Sequence, residues 1–169
     1  MRRWILADWP HAPFESERKQ VLEEWIDYNG HLNMAYYNVL FDQGVDDAFV
    51  RLGMGPDYVK ARDASFFTAE VHVCYLRELE AGMPVVVNLQ LLDFDEKRAH
   101  FFQELRHADE GWISATSEQM SLHVDLGARK VSPWPEDILA NLTALAKAHA
   151  ELPKPERAGR SIAIKRKTG

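Results

Sequence analysis

The chain has 169 residues, 46% of them hydrophobic and 27% charged, a globular balance with enough apolar material for one core. That composition argues against disorder and against a two-domain enzyme. A net charge of −6, from 20 basic and 26 acidic residues, argues against a nucleic-acid groove. No apolar run approaches the roughly 20 residues a membrane helix needs.

The opening Met1-Arg2-Arg3-Trp4-Ile5-Leu6-Ala7 is basic then apolar, but Asp8 and Pro10 cut it short of a secretory core, so no export signal is expected. Cys74 is the single cysteine, which excludes an intramolecular disulfide and fits a reducing cytoplasm. Val21, Glu23 and Trp25 alternate with their neighbours and predict a short strand, followed by the turn-rich Asp27-Tyr28-Asn29-Gly30. Met34, Tyr37, Phe41, Val45, Ala48, Phe49 and Leu52 then recur at steps of three and four, which predicts a long amphipathic helix ended by Gly53-Met54-Gly55-Pro56.

Four long strands are predicted next, at about 65–79, 85–94, 99–107 and 112–125, joined by connections short enough for antiparallel hairpins. Pro133 and Pro135 lead into a second helix from about Glu136 to His149. The order defines an α+β domain over 1–156. The last 13 residues hold Arg157, Arg160, Lys165, Arg166 and Lys167 and no acid, and read as a flexible basic tail over 157–169, with attraction of phosphates as the second reading.

The densest polar cluster, Asp27 to Asn33, falls where a loop runs into the long helix. Unpaired N–H groups at a helix start accept negative charge developing on a carbonyl oxygen. Gly30 and His31 are the candidate oxyanion donors, and Asp27 the candidate nucleophile or base. The structural alternative is that Asp27 and Asn29 shape a turn while Asn33 caps the helix. No Gly-x-Ser-x-Gly elbow is present, which disfavours a serine triad. His72, His100 and His123 lie on three predicted strands, but their spacing matches no standard metal motif.

Asp27, Gly30, His31, Asn33 and the aromatic pair Tyr36-Tyr37, with the Tyr75-to-Gly82 hairpin, resemble the hotdog-fold acyl-CoA thioesterases of the 4-hydroxybenzoyl-CoA thioesterase type. That resemblance implies a hotdog fold, an antiparallel sheet wrapped around a long central helix, here with an extra C-terminal helix. It also implies a catalytic Asp27, no cofactor, and a site at the interface of a homodimer or homotetramer. Asp27-to-His31, Thr68-to-His72, Asp95-to-His100, Glu118-Gln119-Met120 and Leu122-to-Asp125 are similar to the thioesterases associated with carnitine dehydrogenase. The class of substrate this implies is betainyl-CoA, from carnitine breakdown. Leu32-to-Tyr37 is closer to the general acyl-CoA thioesterases.

A trimethylammonium group has no N–H, so its recognition relies on aromatic faces and carboxylates. Trp25, Tyr28, Tyr36, Phe66 and Phe67 flank the candidate site, each with an ordinary core role as its alternative. Strand alternation places Thr68, Glu70, His72 and Cys74 on one face, with Glu70 the candidate anionic partner and a Glu70–His72 structural pair as the alternative. Two further functions remain open at this stage, a hotdog dehydratase on acyl thioesters and a non-catalytic acyl-CoA-binding protein.

Overall fold

A computed structural model describes residues 12–164 and 166. The opening segment and Lys165 and Lys167 of the tail lie outside the described residues. The elements are β1 (Phe14–Glu15), β2 (Lys19–Gln20), a 3-10 turn (Glu23–Trp25), α1 (Met34–Arg51), α2 (Pro56–Arg62), β3 (Ala64–Tyr75), β4 (Pro84–Phe94), β5 (Arg98–His107), β6 (Ile113–Asp125), β7 (Lys130–Val131) and α3 (Glu136–His149).

The sheet runs in the order β1-β4-β5-β6-β3, with β2 also on β4 and β7 also on β6, and every pairing is antiparallel. One edge of β3 is paired with β6, and the other has no partner strand among the described residues. Helix α1 buries Tyr37, Leu40, Phe41, Gly44, Val45, Ala48 and Phe49 on the sheet, one stripe at helical spacing. At Gly44 the helix comes so close to β4 that an added Cβ would meet Val87 Cβ at 2.7 Å.

Helix α3 closes the other end of the core, where Ile138, Leu142 and Leu145 join Phe49, Leu52, Leu89 and Phe101. Two polar anchors fix it. Asn141 donates to the Leu52 carbonyl at 2.9 Å, and His149 Nδ1 accepts the Leu91 N–H at 2.9 Å. This is the expected α+β hotdog architecture.

Three expectations need correction. The segment Val21 to Trp25 is not a strand, because Trp25 and Ile26 donate to the carbonyls of Leu22 and Glu23 and wind it into a 3-10 turn. Gly53-Met54-Gly55-Pro56 does not simply stop the chain, since Pro56 opens α2 at the first helical position, where its missing N–H costs nothing. Met34 begins α1 but is 63% exposed and lies off its apolar stripe.

The tail also departs from expectation. The Gly159 N–H donates to Glu118 Oε2 at 2.7 Å, and Gln90 reaches the Pro153 carbonyl at 3.3 Å. The segment after α3 is therefore fastened to the sheet as far as Gly159.

Candidate active site

The loop from Asp27 to Asn33 is built almost entirely from its own hydrogen bonds. Asp27 Oδ1 accepts the Asn29 N–H at 2.8 Å, the Gly30 N–H donates to the Asp27 carbonyl at 3.0 Å, and the Asp27 N–H returns to the His31 carbonyl at 3.0 Å. Gly30 sits at φ +83°, a left-handed conformation in which glycine is unstrained. A Cβ there would touch nothing within 4 Å, so the requirement is the backbone angle and not space.

The loop is tied down at both ends. Leu32 donates to the Leu79 carbonyl at 2.7 Å and Asn33 to the Trp25 carbonyl at 2.9 Å. Asn33 Oδ1 accepts the Ala35 N–H at 3.0 Å and caps α1. The turn-and-cap reading of Asp27, Asn29 and Asn33 is thus realised, and it leaves the catalytic reading of Asp27 intact. One carboxylate oxygen holds the turn, while no intrachain hydrogen bond to the other is present among the described residues.

Of the two expected oxyanion donors, Gly30 needs correction. Its N–H is spent on the Asp27 carbonyl, and that of Ala35 on the cap. The turn itself leaves the N–H groups of His31 and Met34 unused. His31 Nε2 lies 3.1 Å from Glu78 Oε2, a partner the sequence did not single out because 47 positions separate them.

The aromatic candidates have separate fates. Trp25 and Tyr36 stack at 5.4 Å with planes 14° apart, forming one wall beside the loop. Tyr28 is 98% exposed and lines nothing within one chain. Phe66 stacks on Phe49 at 3.7 Å and its neighbour Phe67 is 55% exposed.

The shared face expected for Thr68, Glu70, His72 and Cys74 does not exist. Thr68 pairs with Ser121 and Glu70 with Met120, so one residue of β6 is spanned by two of β3, a bulge at Ala69 that reverses the alternation. Thr68 stays on the helix side, where Gln119 donates to it at 2.8 Å. After the bulge Val73 and Tyr75 take the helix side, Val73 against the core and Tyr75 edge-on to Tyr37 at 5.0 Å, so Glu70 and His72 face away. There Glu70 and His72 share the outer surface with the His100–Glu118 pair, whose Nε2 and Oε1 are 2.8 Å apart.

The three histidines considered together do not meet. His123 is buried on the helix side, 2.7 Å from Tyr58 Oη, and burial holds its pKa below the ordinary imidazole value. Among the described residues no group of three His, Cys, Asp or Glu side chains forms a candidate metal site.

An antiparallel sheet curled round one helix, with a carboxylate in the glycine turn that starts the helix, defines a hotdog enzyme acting on acyl thioesters. Residues 21–142 match the thioesterase-like superfamily. The chain belongs to that superfamily and is an acyl-CoA thioester hydrolase. It is 41% identical over 144 residues to the betainyl-CoA thioesterase of Pseudomonas aeruginosa, covering 85% of this chain and 91% of that one. It is 42% identical over 155 residues to the L-carnitine dehydrogenase/betainyl-CoA thioesterase of Rhizobium meliloti, covering 92% of this chain and 31% of that longer protein. A Staphylococcus aureus protein solved in complex with CoA superposes with a TM-score of 0.83 and 30% identity, covering 90% of this chain and 95% of that one.

Proposed function

We propose that this chain hydrolyses betainyl-CoA to glycine betaine and CoA, with Asp27 as the catalytic carboxylate, in a site completed by a second copy of the chain. The observation that carries the substrate is the 41% identity to a betainyl-CoA thioesterase along 91% of that protein. The placement of Asp27 supports the chemistry, because its carboxylate and the N–H groups of His31 and Met34 converge on the start of α1.

The reaction needs a nucleophile at the thioester carbonyl, charge stabilisation on the carbonyl oxygen, and departure of the CoA thiolate. Asp27 supplies the first, by direct attack or by taking a proton from water. The start of α1 supplies the second through backbone N–H groups and the positive end of the helix. CoA thiolate leaves without needing an acid as strong as an alkoxide would. His31, held by Glu78, is placed to fix the loop and to face the substrate.

The second copy is argued from β3. Its unpaired edge runs 12 residues, with Phe67, Val71 and Tyr75 all at least 42% exposed, a template that soluble proteins cover by pairing. An identical β3 laid antiparallel about a twofold axis closes both edges at once and keeps both α1 helices on one side of the joined sheet.

Thiol release from a panel of CoA esters tests the function. Wild-type protein is expected to turn over betainyl-CoA, and Asp27→Asn to fold normally and lose about a hundredfold or more in kcat. An intact thioester after incubation would favour a dehydratase or a binding protein, and near-wild-type turnover by Asp27→Asn would remove that residue from the chemistry.

A further inference from the structure

An open groove lies between the middle of α1, the start of α2 and the first half of β3. Asp42 and Asp46 line it from successive turns of α1, Phe66, Phe67 and Thr68 from β3, and Val59 from α2. No basic side chain lines it. The neighbouring Asp47 is excluded from this set, since its carboxylate is taken by Lys19 Nζ at 3.2 Å and the Glu17 N–H at 3.1 Å.

Two carboxylates at i and i+4 on a helix repel each other, an arrangement that destabilises a helix unless a cation sits between them. Burial and the charges of Asp42 and Asp47 push the Asp46 carboxyl above its ordinary pKa. Beside the acids stand two phenyl rings, Phe67 largely exposed. Carboxylates next to aromatic faces suit a cation without N–H groups, whose charge is spread over methyls that cannot hydrogen-bond.

We infer that Asp42 and Asp46, with Phe66 and Phe67, form the subsite for the quaternary ammonium of the acyl group, and that each groove serves the Asp27 of the other protomer. This rests on the substrate and the dimer proposed above. In betainyl-CoA a single methylene separates the cation from the scissile carbonyl, so the cation site must lie beside the attacking carboxylate. Asp42 is about 13 Å along α1 from the cap of its own helix, which is too far.

Across the paired edges the distance closes. Tyr75 marks the Asp27 end of β3, since its hydroxyl donates to the Met34 carbonyl at 3.4 Å. Antiparallel pairing about the middle of β3 sets Tyr75 opposite the partner's Phe66 and its neighbours, with strands about 4.8 Å apart. The catalytic loop of one protomer then meets the acidic groove of the other. The groove replaces Tyr28 and Glu70 as the place where the cation is recognised.

The test compares betainyl-CoA with 3,3-dimethylbutyryl-CoA, which keeps the shape and removes the charge. Wild-type protein is expected to favour the charged ester by about tenfold or more in kcat/KM. Asp42→Asn and Asp46→Asn should each lower that ratio at least fivefold, chiefly through KM for the charged ester, and Asp42→Glu should restore part of it. Circular dichroism and size in solution confirm that each variant is folded and dimeric. A wild-type preference that survives in both Asn variants overturns the subsite and leaves the function standing. A wild-type enzyme with no preference overturns the betainyl substrate and the subsite together.

Discussion

Gln119 Nε2 donates to Thr68 Oγ1 at 2.8 Å, on the helix side of the sheet and one step before β3 bulges. That contact fixes which way Thr68 points, and the bulge then turns Glu70 outward. Glu70→Gln is therefore expected to leave the ratio of kcat/KM for charged and neutral esters within about twofold of wild type. A fall as large as that expected for Asp42→Asn would place Glu70 at the cation and contradict the facing described here.

Asp27 has two chemical routes, and isotope placement separates them. Direct attack forms a mixed anhydride, and water attacking the aspartyl carbon then leaves ¹⁸O in the protein carboxylate under single-turnover conditions. A general-base route labels only the released acid. Because one Asp27 oxygen is held by the Asn29 N–H, the other oxygen is the reacting one on either route. Mass spectrometry of the peptide containing Asp27 reads the outcome, and an unlabelled peptide with labelled product excludes attack followed by hydrolysis at the aspartyl carbon.

The elements most legible in the sequence are those whose apolar period is long. α1 and the last helix stand out because their buried residues repeat over three or more turns, and Glu136–His149 matches the expected bounds. β4, β5 and β6 were legible from their short connections. α2 was hidden because glycine and proline read as a stop, although a proline after Gly55 also marks a helix start. The bulge at Ala69 leaves no compositional trace, and a face assigned by alternation is inverted beyond it. At the site, Asp27, Gly30 and Asn33 were legible because their partners lie within a few positions. The pairing of His31 with Glu78, and the groove joining α1 to β3, are products of folding across more than 20 positions.

The approach of α1 to the sheet is limited by one side chain. Gly44→Ala would place a Cβ at 2.7 Å from both Val87 Cβ and Cγ1, closer than carbon atoms approach without displacement. Forcing the helix away from β4 is expected to destabilise the fold by about 1–3 kcal/mol, measured by urea unfolding. Val87→Ala added to Gly44→Ala should recover part of the loss by trimming the same contact. An unchanged midpoint in Gly44→Ala would mean that α1 sits further from the sheet.

Acid sensitivity is built into the junction of α3 and β4. His149 is buried, with Nδ1 accepting the Leu91 N–H, and burial lowers its pKa from 6.5 to about 4. Above pH 6.5 the imidazole is neutral in both folded and unfolded chains. Between about 6.5 and 4 the unfolded chain takes up the proton and the folded one does not, so stability falls as the pH falls. The contribution is of order 3 kcal/mol across that window. His149→Asn, which keeps an acceptor, should be less stable at neutral pH yet show a flatter decline from 6.5 to 4. His123, also held neutral by burial, keeps part of the slope in the variant. A decline as steep as wild type would assign the whole effect elsewhere.

The unpaired edge of β3 supports the last expectation. Val71 is 42% exposed near the middle of the strand, so a twofold axis through that region brings it close to its own copy. Val71→Lys would set two ammonium groups against each other along a backbone edge that must come within hydrogen-bonding distance. The variant is expected to run as a monomer in light scattering while keeping the circular dichroism of the wild type. It should also lose thioesterase activity by about a hundredfold, because a monomer separates Asp27 from the partner's groove. Retention of both dimer and activity would locate the interface elsewhere on the molecule. A fully active monomer would show that one chain holds a complete site, and with it the assignment of the cation to the partner's Asp42 and Asp46 would fall.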